Sequence, residues 1–490
     1  MLLPAANSRY WLVVRCQLPT EAANLNLLSA ARQTALPMSY ETAVSRIYEL
    51  GHELAHAPSK KFDLAHMRVL LAALDHPERH SPGVLIAGTN GKGSTAATLA
   101  AILQASGLRA GLYTSPHLVR INERIRINGE AISDADFALV HDLVERTAAR
   151  LMSERELPWH PSFFEMLTAM AFEFFAWRQV EIAVLEVGMG GRLDATNVIE
   201  PRLSIIADIS LDHQKFLGDT ITEIAHEKAG IIHAGGVVVT LPQRPEANDV
   251  IGNTILERNA RAVNAVPFVP PVSPASAPYL VRGAETGAMR HPVSRYPLQV
   301  LGEQIMVETP LIGRHQLRNV ALAVAAAEEL SRQGLPITAH SIEGGIRETH
   351  WPGRFQVVPA TGRDPEIVFD VAHNPAGAWA LRSTLSSMYE GRPLIFVFGM
   401  MRDKAIGEVA EILFPLAERV IATHAENPRS AAPEEIANAA HRVSVEIEAA
   451  AEVSAALAAA RAYAGSGGVV VVTGSIYVVG EAMRALNIQI

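Results

Sequence analysis

The stretch VLIAGTNGKGSTAATLAAILQASG (84–107) decides the fold of this chain. It opens as a short apolar run that stops at Gly88, passes through a glycine-rich loop, and continues as a helical segment closed by Gly107. Glycine suits the C′ position because it tolerates the left-handed conformation there. Backbone N–H groups in such a loop, with a helix N-terminus behind them, make an anion cradle. Lys92 adds a positive charge suited to β- and γ-phosphates, and the hydroxyl of Ser94 or Thr95 can reach a magnesium ion. The strict pattern G-x-x-x-x-G-K-[ST] is not met: position 86 is Ile, and Gly93 intrudes between Lys92 and Ser94. The strand–loop–lysine–helix order favours phosphate binding over a plain glycine turn.

The same alternation extends outward. RAGLYTS (109–115), VEIAVLEVG (180–188), RLSIIADIS (202–210) and GVVVTL (236–241) read as strands, and PSFFEMLTAMAFEFFAW (161–177) as a helix between them. Near-continuous apolar strands alternating with helices predict a parallel sheet covered on both faces. Residues 264–297, rich in Pro, Ser and Ala, break the pattern and predict an irregular or β-meander insertion, since proline avoids central strands. A helix over 315–334 follows. After WPGRF (351–355) a second alternating series runs through EIVFDVA, PLIFVFGM, RVIATH and GGVVVVTGS. The expectation is an α/β protein: a large doubly wound domain carrying the phosphate loop, over residues 38–345, and a smaller Rossmann-like α/β domain over 346–490. Ligands then belong in the cleft between them, at the carboxyl ends of the strands.

Composition bounds the function. With 49% hydrophobic and 19% charged residues the chain suits a globular protein and excludes wholesale disorder. Lys and Arg number 42 against 51 Asp and Glu, a net charge of −9, which argues against a general nucleic-acid binder. The single cysteine, Cys16, makes no intrachain disulfide and no thiolate zinc site, and a reducing cytoplasm is the expected setting. No apolar run approaches the roughly 20 residues of a membrane span. Residues 1–37 have no clear period, whereas MSYETAVSRIYELG from Met38 reads as a helix N-capped by Ser39. The first 37 residues are therefore expected outside the core, as a tail or through a start codon placed too early.

Other segments carry chemistry. In LEVGMGGRLDATN (185–197), Glu186 ends a buried strand, where a carboxylate is costly unless paired or bound to a metal. Arg192 and Asp194 follow in its glycine-rich loop. Ser115 lies just past another strand end, with Arg120, Arg124 and Arg126 behind it, although that segment alone reads as a solvated turn. His213 follows a third strand end, and Lys228 sits on the next helix. Ser115, Glu186 and His213 together could hold a hard cation such as magnesium, one imidazole among oxygen ligands being tolerable. In FDVAHNPAG (369–377), Asp370 and His373 occupy a strand-to-helix turn, and Arg354 of WPGR stands at the domain junction, where a guanidinium could bridge both halves through phosphate.

In order and spacing, GTNGKGS, TSPHL, LEVGMGGRLDATN, DH…LG…EKAGI, HQ…N, WPGR, D-x-AHNP, MRDK and TGS-x-Y resemble the folylpolyglutamate synthase/dihydrofolate synthase family of Mur-type, ATP-dependent amide ligases, from about Met38 onward. The resemblance implies ATP binding through Thr89, Asn90, Gly91, Lys92, Gly93 and Ser94, and across the junction through Asn319, Arg354 and Asp370. It implies magnesium, as two ions, at Ser115, Glu186, His213 and a carbamylated Lys228. It places the pterin near Phe62, Asp63, Leu64, Ser162, Leu193, Asp194 and Ala195, although KFDLAHMRVL lacks the family's more usual Leu-Glu-Arg run. RDKA likewise departs from Arg-Asp-Lys-Asp at position 405. The implied substrates are ATP, L-glutamate, tetrahydrofolates and dihydropteroate, with no nucleic-acid or membrane partner, in a cytoplasmic monomer. Lys92, Lys228 and His373 are the expected catalytic groups, His373 and Asp370 orienting glutamate or nucleotide. The carboxylate would be phosphorylated by ATP and the acyl phosphate attacked by the glutamate amine. A folylpolyglutamate synthase without the dihydropteroate reaction, a cell-wall Mur-type ligase and a switch ATPase are the alternatives.

Overall fold

The computed structural model of the protein describes residues 38–51, 64–272, 279–282 and 289–488. The expectation for residues 1–37 and the pterin positions Phe62 and Asp63 lie outside the described residues. The helix Tyr40–Glu49 begins where expected, Ser39 accepting from the amide of Thr42.

Eight strands form the first sheet: β1 (Gly83–Ala87), β2 (Ala110–Tyr113), β3 (Ile125–Ile127), β4 (Glu130–Ala131), β5 (Ile182–Glu186), β6 (Leu203–Ile206), β7 (Val237–Thr240) and β8 (Arg261–Asn264). Their order is β4-β3-β2-β5-β1-β6-β7-β8, parallel except for the hairpin of β3 and β4. The strands read as unbroken apolar runs because both faces are covered. Leu85 and Ala87 of β1 pack into a core with the helix Phe163–Trp177, while Val84 and Ile86 pack into a second core with the helices Lys92–Ala105 and Arg314–Arg332. The chain leaves β1 toward β2 on one side and later returns to β6 on the other. The β1–helix turn therefore sits at a topological switch point, where α/β sheets place their ligands.

The expected insertion is a meander of β9 (Tyr279–Arg282), β10 (Met289–Val300) and β11 (Glu303–Thr309), in the order β11-β10-β9. Contrary to the rule used to read it, the central strand β10 holds Pro292 and Pro297. Pro292 adjoins a shift of register against β9, and β9 reaches only as far as Val293, so beyond that β10 has one neighbour among the described residues. A nitrogen on the open side needs no hydrogen.

The second unit is a six-stranded sheet of β12 (Gln356–Val358), β13 (Glu366–Phe369), β14 (Leu394–Phe398), β15 (Arg419–Ala422), β16 (Glu446–Ala449) and β17 (Val469–Thr473), in the order β12-β13-β17-β14-β15-β16. Only β12 is antiparallel. Phe396 and Phe398 of β14 face one core, Ile395 and Val397 the other, so this sheet too is covered on both sides. The α/β architecture with two parallel-rich sheets is thus as the sequence predicts. Among the described residues, no helix is long and apolar enough to cross a membrane.

Candidate active site

A cavity of about 1250 Å³ lies between the two sheets, at the carboxyl ends of their strands. Thr89 to Ser94 form one wall. The loop is pinned to the extension of β6: Thr89 and Asn90 donate their amides to the carbonyl of Asp208 at 2.7 and 3.2 Å, and the Thr89 hydroxyl donates to the carbonyl of Ser210 at 2.9 Å. Gly91 has φ 84°, a left-handed turn that lets the chain reverse into the helix at Lys92. Lys92 Nζ donates to the Thr89 carbonyl at 3.3 Å and lies 3.9 Å from Glu186 Oε1. The lysine that completes the cradle is thereby held against the carboxylate at the end of β5.

Ser115, Glu186 and His213 all line this cavity, at the ends of β2, β5 and β6. Glu186 Oε2 accepts from the Ser115 amide at 3.3 Å. Burial pushes the His213 imidazole down to about 3, so its ring is a neutral donor. Ser94 Oγ is buried and has no hydrogen-bond partner among the described residues. An orphaned hydroxyl in a cavity also lined by a carboxylate and a neutral imidazole fits a hard divalent cation. The described residues contain no group of three His, Cys, Asp or Glu side chains that could hold a metal. The expected set contains only two such side chains, the others being a hydroxyl and a modified lysine. Lys228 stands apart from the cavity lining. It is buried behind the loop, and its Nζ donates to the carbonyl of Gly88 at 2.8 Å. Burial first, and the charge of Lys92 second, push it down to about 7. A lysine with a large unprotonated fraction at pH 7 offers a nucleophilic amine.

Of the residues expected to reach ATP from across the junction, Arg354 and Asp370 come from the second unit, whereas Asn319 does not: its helix packs on Lys92–Ala105 in the first unit, and its carboxamide lies against Gly91 of the phosphate loop. Asn319 is buried on the helix Arg314–Arg332, its Nδ2 donating to Gln316 Oε1 at 2.9 Å. Burial depresses the Arg354 guanidinium, while Asp370 and Glu186 counteract it. Asp370 is raised to about 6 by burial, against the pull of Arg354. Its oxygens accept the amides of Phe355 and Ala372, each at 2.9 Å, which fixes the turn carrying His373. His373 Nδ1 donates to the carbonyl of Val371 at 2.9 Å, and its Nε2 lies 3.5 Å from Asp212 Oδ2 on the opposite wall.

Leu64, Ser162, Leu193, Asp194 and Ala195 line the far end of the same cavity. Ser162 N-caps the helix Phe163–Trp177 in a reciprocal pairing with Glu165. Asp194 is turned into its own loop: Oδ1 accepts from the Thr196 amide and hydroxyl, and Oδ2 from the Met189 amide. Arg192 pairs with Glu227 at the surface.

A reading of the segment beside this site also needs correction. The segment after Ser115 is no solvated turn. Glu123 collects the amides of Leu118, Val119 and Arg120, and β3 then pairs with β2, which buries Arg124 and Arg126. Only Arg120 is exposed, paired with Asp134. Sequence reasoning gave no role to Asp212, Lys404, His315 or Trp351, although the quoted DH, MRDK, HQ and WPGR segments carry them. Burial takes His315 down to about 4, and the Trp351 ring lies against Gly93, where an added Cβ would meet its Cζ2 at 2.7 Å.

The Mur ligase middle domain model matches residues 86–327, and the Mur ligase glutamate ligase domain model matches residues 353–476. The chain is 35% identical over 384 residues to a dihydrofolate synthase/folylpolyglutamate synthase of Bacillus subtilis, covering 77% of this chain and 84% of that one. It is 37% identical over 457 residues to a probable bifunctional folylpolyglutamate synthase/dihydropteroate synthase of Haloferax volcanii, of which it spans half the length. Among solved structures, a Mycobacterium tuberculosis folylpolyglutamate synthase complexed with ADP matches with a TM-score of 0.79 and 31% identity over 92% of this chain and 99% of that one. A Yersinia pestis bifunctional folylpolyglutamate synthase/dihydrofolate synthase complexed with AMPPNP and a Mn ion matches with a TM-score of 0.73 and 28% identity, over 92% and 98%.

Proposed function

The chain belongs to the folylpolyglutamate synthase/dihydrofolate synthase family of Mur-type ligases, and from that premise we propose that it joins L-glutamate to folates in an ATP-dependent reaction through an acyl phosphate. The observation that carries this reading is that the loop Thr89–Ser94 and the Asp370–His373 turn of the second sheet line one cavity. A phosphate donor and an amine acceptor must meet the same carboxylate, and a two-walled cleft serves that need. Tetrahydrofolates and dihydropteroate are both substrates in this reading, since both present a carboxylate to the same chemistry.

A carboxylate is a poor acyl donor, so phosphorylation comes first. Lys92 and the amides of the first helical turn hold the phosphates of ATP in place, and Arg354 approaches the same groups from the junction. A divalent cation, when bound at Ser94, Ser115, Glu186 and His213, supplies further neutralisation of charge on the transferred phosphoryl group. The glutamate amine then attacks the acyl carbon, phosphate leaves with the C–O electron pair, and the amine gives up a proton. His373 lines that region, its ring held in place by the Nδ1 bond to the Val371 carbonyl. Lys228, a large part of it unprotonated at pH 7, can add carbon dioxide and release a proton to become a carbamate, a carboxylate-like group behind the loop.

The test is phosphate release with ATP and glutamate while dihydropteroate and tetrahydrofolate are added in turn. Release that depends on both glutamate and a folate supports the reading. Release with neither folate, or release indifferent to glutamate, overturns it.

A further inference from the structure

Asp212, on the loop after β6, is a carboxylate that belongs to neither the expected nucleotide set nor the expected metal set. Its side chain is only 6% exposed, and apart from the adjoining His213, whose amide donates to Oδ1 at 2.8 Å, its partners come from the opposite sheet. Lys404, on the turn after β14, pairs with Oδ1. Asn374 Nδ2 donates to Oδ2 at 3.3 Å, and His373 Nε2 lies 3.5 Å from the same oxygen. Asn374 Nδ2 also reaches Asn90 Oδ1 in the phosphate loop at 3.0 Å. One carboxylate thus gathers three groups from two separate strand ends of the second unit and ties them to the wall that holds the phosphates.

A buried ion pair of this kind is stable only while both partners stay together, because separation leaves each charge without its counterpart in a poorly solvated place. Here the partners are on different units, so the pair survives only when the cleft is closed. Lys404 is 11% exposed in that state, and its backbone is fixed by its own amide bonding to Met401. The contact is therefore built into the turn, where a flexible surface lysine would swing free.

We propose that Asp212 is a positioning residue that locks the second unit over the phosphate loop through Lys404, Asn374 and His373, and so keeps water from the acyl phosphate. This rests on the ligase reading. With the lock open, water attacks the acyl carbon, the bond from carbon to the phosphate oxygen breaks, and phosphate leaves. The carboxylate is regenerated and a proton passes to solvent. The net reaction is then ATP and water giving ADP and phosphate with no amide formed.

The experiment compares the full chain with Lys404→Met, Lys404→Arg and Asp212→Asn variants, counting phosphate released per amide formed with ATP, glutamate and a folate present. Small-angle X-ray scattering of each protein without substrates reads the closure itself. The wild type should give a ratio near one. Lys404→Met and Asp212→Asn should raise the ratio several-fold, leave KM for the folate unchanged and enlarge the radius of gyration, while Lys404→Arg restores both readings. A Lys404→Met protein that melts like the wild type, keeps its coupling ratio and scatters identically overturns the proposal. If the wild type forms no amide with any folate, the ligase reading fails, and the scattering comparison alone decides the lock: enlargement supports it and identity refutes it.

Discussion

Replacing Gly91 by alanine separates two costs that the loop combines. The residue sits at φ 84°, and a Cβ built there would lie 2.2 Å from Asn319 Oδ1, 2.8 Å from its Cγ and 3.0 Å from its Nδ2. Asn319 cannot yield easily, being 5% exposed and tethered to Gln316. The left-handed conformation costs an alanine about 1 kcal/mol relative to glycine, and overpacking a tight site costs about 1–3 kcal/mol. Together these come to about 2–4 kcal/mol against the loop geometry that binds phosphate, or roughly 30- to 700-fold in affinity at about 1.4 kcal/mol per decade. Calorimetric titration with ADP reads this directly. Gly107→Ala is the matched control, with φ 82° and no atom within 4 Å of the added carbon. It should lower the melting temperature slightly and leave ADP affinity unchanged. The reasoning is refuted if Gly91→Ala binds ADP within about threefold of the wild type, an effect of under 1 kcal/mol, or if Gly107→Ala weakens it equally.

Three further outcomes follow from the buried charges. Lys228, at about 7 against an ordinary 10.5, leaves the unfolded chain holding the extra proton between those values. Stability in carbon-dioxide-free buffer should therefore rise from pH 7 toward 10.5, and Lys228→Met should flatten that slope in thermal melts while abolishing ligation. Glu173 runs the other way. Burial, with Asp75 and Glu78 nearby, raises it from 4.5 to about 8, so the folded chain holds the extra proton and stability falls as pH rises through that window. The loss is on the order of 5 kcal/mol, and an unchanged slope in Glu173→Gln would contradict the assignment. Glu186→Gln should lower kcat by at least about 100-fold and raise the divalent-cation concentration needed for half-activity, as read by magnesium or manganese titration after chelation; an unshifted titration would remove Glu186 from the cation site.

What the sequence made legible were features local to one strand end. Glu186 stood out because a carboxylate closes an otherwise apolar strand, and the loop 88–95 because its glycines join a strand to a helix. The helix Asp134–Ser153, which sequence reading passed over, has Phe137, Val140, Val144, Ala148 and Leu151 buried at helical spacing, but charged residues between them dilute the stripe. Asp212 and Lys404 were beyond reach for a different reason. They are 192 residues apart, and only the apposition of two sheets joins them. A charged residue beside His213 at a strand end was the available signal. The buried Arg124 and Arg126 misled because their cover comes from β3 pairing back on β2 and from Trp351, whose ring lies 5.7 Å from the Arg126 guanidinium.

The central claim is that a folate carboxylate is activated as an acyl phosphate in this cleft before glutamate attacks. A folate labelled with a heavy oxygen isotope in the reacting carboxylate tests it in one turnover with ATP and glutamate. Transfer through the acyl phosphate leaves one labelled oxygen in the released phosphate for each amide formed. Phosphate without the label, accompanied by normal amide formation, would contradict the account.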